Sequence, residues 1–359
     1  MKHRPLDIAL GASAAAHIAE HGWRGADIDI LLGASGGPKW LILGHLDRLL
    51  FGAFLLEERH RPLRAIGSSV GSWRHACLAQ DDPIAAIERF EDVYVHWDYG
   101  TTRPTTREIS DASLAMLERV VGDAGARAIV SHELLHSYIV TARGRGLNSL
   151  GRGPGLAAGM GAAALANALG RQLLASQFQR VLFCTPGAPP LPFADFATLQ
   201  VELSAGTVPA ALHASGSIPF LLHGERDLPG GPEGHYWDGG IIDYHFNPSV
   251  LADEGLILYP HFRPDLTPGW FDKFLPWRRY REPILDNLIL ISPSRAFLAS
   301  LPCGKIPDRS DFRRMNVDER IAYWEQCVLR SRELADDFHW QLQADDPLAG
   351  TRRLASVAP

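Results

Sequence analysis

The chain is short of cysteine, of basic charge and of strongly apolar runs. Its four cysteines, Cys77, Cys184, Cys303 and Cys327, are scattered over 359 residues and form no C-x-x-C pair. That spacing excludes a disulfide-stapled scaffold and a cysteine zinc site, and a reducing compartment is expected. Lys and Arg number 35 against 41 Asp and Glu, a formal charge of -6. Without a basic surplus there is no global electrostatic footprint for nucleic acid, and none is expected as a partner. The apolar stretch near the start is broken by Asp7, His17 and Glu20, too polar for a signal-peptide core. The one long uncharged stretch, 153–170, is mostly Ala and Gly with Asn167, too weakly apolar for a membrane span and better suited to a tightly packed helix or a cap over a site. The expectation is a cytoplasmic protein. No internal repeat is found.

What the chain does have is apolar residues, 46%, enough for a sizeable core, and 34 glycines. From Asp7 to His21, Ile8, Ala12, Ala15, Ile18 and Ala19 recur at helical spacing, which predicts an opening helix stopped by Gly22. The run 28–32 predicts a strand that leads into Gly33-Ala34-Ser35-Gly36-Gly37-Pro38-Lys39-Trp40, with Pro38 starting a helix. A second strand, 63–66, runs into Gly67-Ser68-Ser69-Val70-Gly71 and a helix over 73–80. Helices over 83–95, 107–121, 156–174 and 317–342 then mix with strands over 137–141, 180–183, 256–259 and 288–291. Alternation of this kind predicts an α/β fold, three-layer α/β/α, with a largely parallel central sheet. The catalytic domain is expected over 1–295, with its motif-bearing core at about 28–248 and a helical C-terminal extension over 296–359.

Three turns carry chemistry. Gly67 to Gly71 fits G-x-S-x-G, a sharp strand-to-helix turn that lifts the Ser69 hydroxyl above the sheet edge, with Gly67 and Gly71 removing side chains that would collide. An ordinary Gly/Ser turn has the same string, and the flanking strand and helix are what favour the nucleophile. A serine needs a base for its proton and donors for the oxyanion it creates. Ser35-Gly36-Gly37-Pro38-Lys39, at a strand end and a helix start, offers free backbone N–H groups; it lacks the full phosphate-loop pattern. Asp238-Gly239-Gly240 places a carboxylate on a turn whose backbone can approach another loop closely.

Taken in order, these pieces resemble the patatin-like phospholipase family of lipid acyl hydrolases. Ser35 to Trp40 matches its G-G-G-x-[RK]-G loop, with Ser35 and Trp40 in place of the outer glycines. Gly67 to Gly71 matches its elbow, Asp238 to Gly240 its D-G-G element, and Ala214-Ser215-Gly216-Ser217-Ile218-Pro219-Phe220 its A-S-x-A-x-P-x-F segment. The stretch from Asp243 to Pro248 also has a familial look. The resemblance implies a patatin-like fold and a Ser69–Asp238 dyad without histidine. It also implies an oxyanion hole from the Gly36 and Gly37 amides with Lys39 beside it, and a lipid or other acyl-ester substrate. No cofactor and no metal are implied.

Competing readings remain open. A catalytically silent lipid-binding or scaffold protein would keep the same fold. A Ser-His-Asp esterase would draw its base from His245 or His261, with His213 and His235 as weaker candidates. His17-Ile18-Ala19-Glu20-His21 matches H-x-x-E-H, and His235, Asp238, Asp243 and His245 contain metal-ligand types. The segment 270–281, from Trp270 to Arg281, mixes aromatics with basic residues and suits peripheral contact with a membrane or packing on the core. Leu191, Phe193 and Phe196 beside the loop 185–192 would line an acyl pocket or fill the core.

Overall fold

The computed structural model describes residues 4–101, 103–193, 195–247, 251, 255–275, 277 and 286–354; Pro248 and, of the aromatic segment, residues 276 and 278–281 lie outside this set. In chain order the elements are β1 (Leu6–Leu10), α1 (Ala12–His21), β2 (Ile28–Gly33), a 3-10 segment (Gly37–Leu43) continuing into α2 (Gly44–Ala53), β3 (Leu63–Ser68), α3 (Val70–Leu78), α4 (Pro83–Val95), α5 (Thr106–Val120) and α6 (Gly122–Ser131). There follow β4 (Leu135–Gly144), α7 (Gly153–Leu169), β5 (Phe178–Cys184), β6 (Thr198–Glu202), α8 (Val208–Gly216), β7 (Glu225–Arg226) and β8 (His235–Asp238). The chain continues through β9 (Leu256–Pro260), β10 (Leu288–Pro293), α9 (Arg295–Ser300), α10 (Asp311–Arg314), α11 (Val317–Gln343) and β11 (Thr351–Arg353).

The fold is α/β around a largely parallel sheet of order β11-β1-β10-β9-β2-β3-β4-β5-β6, with β8 also paired to β4 and β7 to β8. The central strands β2, β3 and β9 read as almost unbroken apolar runs because both their faces are covered. One expectation fails at the start. The stretch after Asp7 is strand, not helix: Leu6 to Leu10 pair antiparallel with β10, and α1 begins only after Gly11. Its helical spacing is overridden by a row of unsatisfied backbone groups on β10, which pairing with β1 satisfies. The helix expected over 156–174 is shorter, because Gly170 closes α7 and a 3-10 segment takes over. Pro38 starts a 3-10 segment before α2.

The C-terminal stretch is built into the same body. β11 extends the sheet by pairing parallel with β1, and α11, whose N-terminus is held by a capping box between Asn316 and Glu319, packs on α2 and on the 3-10 segment before it. No helix among the described residues is long and apolar enough to cross a membrane.

One register positions the site. β3 runs parallel to β4 and its last pairing is Ser68 with Val140. β8 runs antiparallel to β4 and its last pairing is Asp238 with Thr141, while β5 holds the opposite edge of β4 from Tyr138 to Gly144. The C-terminal ends of β3 and β8 therefore meet end to end at two adjacent residues of β4.

Candidate active site

Ser69 stands at the turn between β3 and α3 with φ 55 and ψ -129, a backbone conformation that costs a non-glycine residue about 1–3 kcal/mol. The strain is held by its surroundings. The Ser69 N–H donates to Ser215 Oγ at 3.0 Å, Ser215 Oγ donates to the Val140 carbonyl at 2.7 Å, and Ser72 Oγ donates to the Ser69 carbonyl at 2.6 Å. Ser215 belongs to the Ala214–Phe220 stretch singled out in the sequence, and its work is to pin the elbow. Gly71 is required by close approach: a Cβ there would lie 2.0 Å from the Gly33 carbonyl oxygen of the neighbouring strand.

Ser69 Oγ donates to Asp238 Oδ2 at 2.8 Å, and both residues are buried. The other carboxylate oxygen accepts the Gly240 N–H at 2.7 Å, which fixes the carboxylate plane. Gly239 can only be glycine, since a Cβ would fall 2.3 Å from the Val140 carbonyl oxygen. Burial raises the Asp238 pKa above the ordinary carboxylate value; the Arg309 guanidinium, the Ser69 and Gly240 hydrogen bonds and Lys273 oppose the rise without cancelling it. A carboxylate so placed is a better proton acceptor than an exposed one.

The loop from Ser35 to Lys39 lies against the same point. Ser35 Oγ donates to Ser68 Oγ at 3.0 Å, and the Ser35 N–H donates to the Tyr244 carbonyl at 3.0 Å, so the serine standing where a glycine was expected ties the loop to the end of β3. Trp40, the other departure, turns into the core and stacks on Phe90 at 4.3 Å between centroids. Gly37, with φ 56, opens the 3-10 segment, and its N–H is a first-turn donor without an intrahelical acceptor. The Val70 N–H at the start of α3 is a second such donor, one residue past Ser69, where an elbow serine draws part of its oxyanion hole.

Ser69 borders two chambers. The first, about 140 Å³, is the more polar of the two, and Ser35, Gly36, Lys39, Asp238, Tyr244, Lys273, Asp308 and Arg309 are among its walls. The second, about 440 Å³, is mainly apolar and is walled by Gly37, Val70, Trp73, Ile109, Met116, Leu221, Leu222 and Phe312, among others. Lys39 reaches Asp308 at 3.6 Å. Arg309 and the apolar wall carry no motif of their own, while Tyr244 and Lys273 lie in the stretches 243–248 and 270–281 without any sequence sign that they border the site. The local sign for Lys273 is the aromatic segment around Trp270, whose composition suits membrane contact or core packing and does not point to the site.

Other sequence candidates fall elsewhere. Leu191, Phe193 and Phe196 are buried away from both chambers, with Phe193 and Phe196 against the Arg180 guanidinium, and α7 lines neither chamber. Asp243 is held by Arg180 through two hydrogen bonds, 2.7 and 2.8 Å, and braces the turn after Gly240. His245 accepts the Thr267 N–H at Nδ1 and is kept neutral by burial, and His261, packed on it, is lowered to about 3 mainly by burial. Ser69 Oγ donates to Asp238 and to neither of these histidines. His213 pairs with Glu225, His235 Nε2 bonds the His223 carbonyl, and His17 pairs with Asp27. Among the described residues no group of three or more His, Cys, Asp or Glu is arranged to hold a metal ion. No protein-family model matches the chain, and no curated protein matches it.

Proposed function

We propose that the protein is a serine acyl-ester hydrolase with a three-layer, patatin-like α/β/α architecture, acting on lipid or related carboxylic esters. The observation that carries this reading is the 2.8 Å hydrogen bond from Ser69 Oγ to a buried carboxylate at the junction of a polar and an apolar chamber. The acyl chain lies in the apolar chamber, against Trp73, Met116 and Leu222, and the alcohol lies on the polar side. Ser69 Oγ attacks the ester carbonyl while Asp238 takes its proton. The oxyanion is met by the N–H groups of Gly36 or Gly37 and of Val70 at the α3 N-terminus. Asp238 then returns the proton to the departing alcohol oxygen, leaving an acyl group on Ser69. Water, deprotonated by the same carboxylate, releases the acid and restores the hydroxyl.

Peripheral contact with a lipid surface belongs to the same reading, supported by the exposed Phe274 (74%) and Trp277 (68%) near the polar chamber, which Trp270 and Lys273 help to line. A fluorophosphonate probe tests the reading directly. The wild-type chain is expected to gain one covalent adduct on Ser69, and Ser69→Ala none. An unlabelled wild type with no turnover of p-nitrophenyl esters would favour a silent lipid-binding protein instead.

A further inference from the structure

Resting on the reading of Ser69 as the acyl acceptor, we propose that the polar chamber selects esters whose leaving alcohol carries an anionic group, a phosphate or a carboxylate, bound by Arg309 and Lys273. The charge inventory of the chamber motivates this. Three cations, Lys39, Lys273 and Arg309, face two carboxylates, Asp238 and Asp308. Asp308 is paired with Lys39 at 3.6 Å, and Asp238 is engaged by Ser69 and Gly240. Among the described residues Arg309 has no hydrogen-bond or ion-pair partner. Among the described residues Lys273 has no carboxylate partner; its ammonium hydrogen-bonds the Tyr244 side chain and lies 3.6 Å from the centre of that ring. A guanidinium without a counter-charge, beside an ammonium held only by a phenol, is a receptor for an anion.

Tyr244 stands in the same field. Burial alone raises its phenol, yet Lys273, which also hydrogen-bonds it, Lys39 and Arg309 together outweigh that and bring it below its ordinary value. Position matters as much as charge. Arg309 borders both chambers and lies over the oxyanion loop, its Nε 2.9 Å from where a Cβ on Gly37 would be. An anion held there sits on the alcohol side of the ester, a few bonds from the scissile oxygen.

The arrangement has a kinetic corollary. With a neutral ester, Arg309 and Lys273 draw on Asp238 and weaken it as a base. A bound anion neutralises their field and returns basicity to the carboxylate. The preference is therefore expected in kcat as well as in KM. A choline-type cation is repelled at the same place. The chemistry balances as simple hydrolysis, ester plus water giving a carboxylic acid and an anionic alcohol.

The test compares octanoyl esters of glycerol, choline, glycolate and glycerol 3-phosphate, all as monomers, with the wild-type chain and the Arg309→Gln, Arg309→Lys and Lys273→Gln variants. The wild type is expected to favour the two anionic esters by about tenfold or more in kcat/KM. That ratio should fall to about threefold or less in Arg309→Gln, recover in part in Arg309→Lys, and shrink as salt screens the site. Calorimetric titration of the wild type with inorganic phosphate gives a readout independent of turnover, with saturable binding expected and lost in Arg309→Gln. Phosphate binding without cleavage of any ester would defeat the hydrolase reading and leave the anion receptor standing. Cleavage of neutral and anionic esters at equal rates, or a preference untouched in both glutamine variants, would overturn the receptor and leave the hydrolase. Repeating the comparison with oleoyl glycerol 3-phosphate in phosphatidylcholine vesicles identifies the anion's source. A preference largest there supports a lipid headgroup, and one equally strong for octanoyl glycolate supports a small soluble ester.

Discussion

Asp238→Asn separates the proposed chemistry from the fold more cleanly than any other change. Asparagine has the size of the aspartate, and its carbonyl can still accept the Gly240 N–H that now reaches Oδ1 at 2.7 Å, so the turn after β8 persists. What is lost is the acceptor for the Ser69 proton at 2.8 Å. General bases contribute about 10²- to 10⁴-fold, and the proposed dyad has no second base, so kcat/KM should fall by about 10³-fold or more, on the order of 4 kcal/mol. The wild-type rate should rise with pH as Asp238 ionises, along a limb displaced upward from the ordinary carboxylate value, because burial raises its pKa. The limb disappears in the variant.

Stability should move the other way. A carboxyl whose folded pKa is raised binds its proton more tightly when folded. Its contribution to stability is thus best at low pH and is lost as pH rises from the unfolded value through the folded one. At neutral pH the wild type bears the cost of that raised proton affinity, and the amide, which does not titrate, removes it. Asp238→Asn should therefore melt above the wild type at pH 7, by about 1 °C for each kcal/mol in a chain of this length, with the gap narrowing toward pH 4. Ester turnover and calorimetry across that range decide it. A variant within tenfold of wild-type turnover, or one less stable at pH 7, would refute the reasoning.

Three further outcomes are expected. Ser69→Gly should be at least about 1 kcal/mol more stable than Ser69→Ala in urea unfolding, reversing the usual order of the two residues, because only glycine accepts φ 55 without strain; both should be inactive. Gly71→Ala should cost about 3 kcal/mol or more, read as a fall in the urea midpoint, since its Cβ would be 2.0 Å from a backbone carbonyl that cannot retreat without moving β2. Ile109→Trp, in the wall of the 440 Å³ chamber, should cut kcat/KM for dodecanoyl p-nitrophenyl esters about tenfold relative to butanoyl ones; an unchanged chain-length profile would place the acyl group elsewhere.

The motif residues were legible because each is fixed by its neighbours along the chain. A strand, a glycine-flanked serine and a helix specify an elbow within a dozen residues, and the structure puts Ser69 and Asp238 in hydrogen-bond contact as the ordered motifs imply. Arg309 was not legible, since nothing around it in the sequence says which cavity the loop before α10 will face. The opening strand was misread because Ile8, Ala12 and Ala15 satisfy a helical period while the pairing that decides the matter lies on β10, nearly the whole chain away. The two departures from the glycine loop gained their meaning only in three dimensions, Ser35 as a tether to Ser68 and Trp40 as a core residue stacked on Phe90.

The end-to-end meeting of β3 and β8 on β4 makes that strand a ruler for the reaction. Residues 140 and 141 set how far apart the two proposed reacting groups stand, and one residue of slippage by β8 would change their separation by about 3.3 Å, enough to break the 2.8 Å contact. The long excursion between β4 and β8, with α7, β5, β6, α8 and β7 in it, can lengthen or shorten in its loops provided β5 stays paired to β4, Ser215 stays against the elbow and the chain re-enters at the same rung. Substrate preference can thus be rebuilt in the excursion while the spacing of serine and carboxylate stays as it is. The same geometry delays competence in folding. A chain that has laid down β2, β3 and α3 already displays its serine, but Asp238 comes to that serine only when β8 docks against β4.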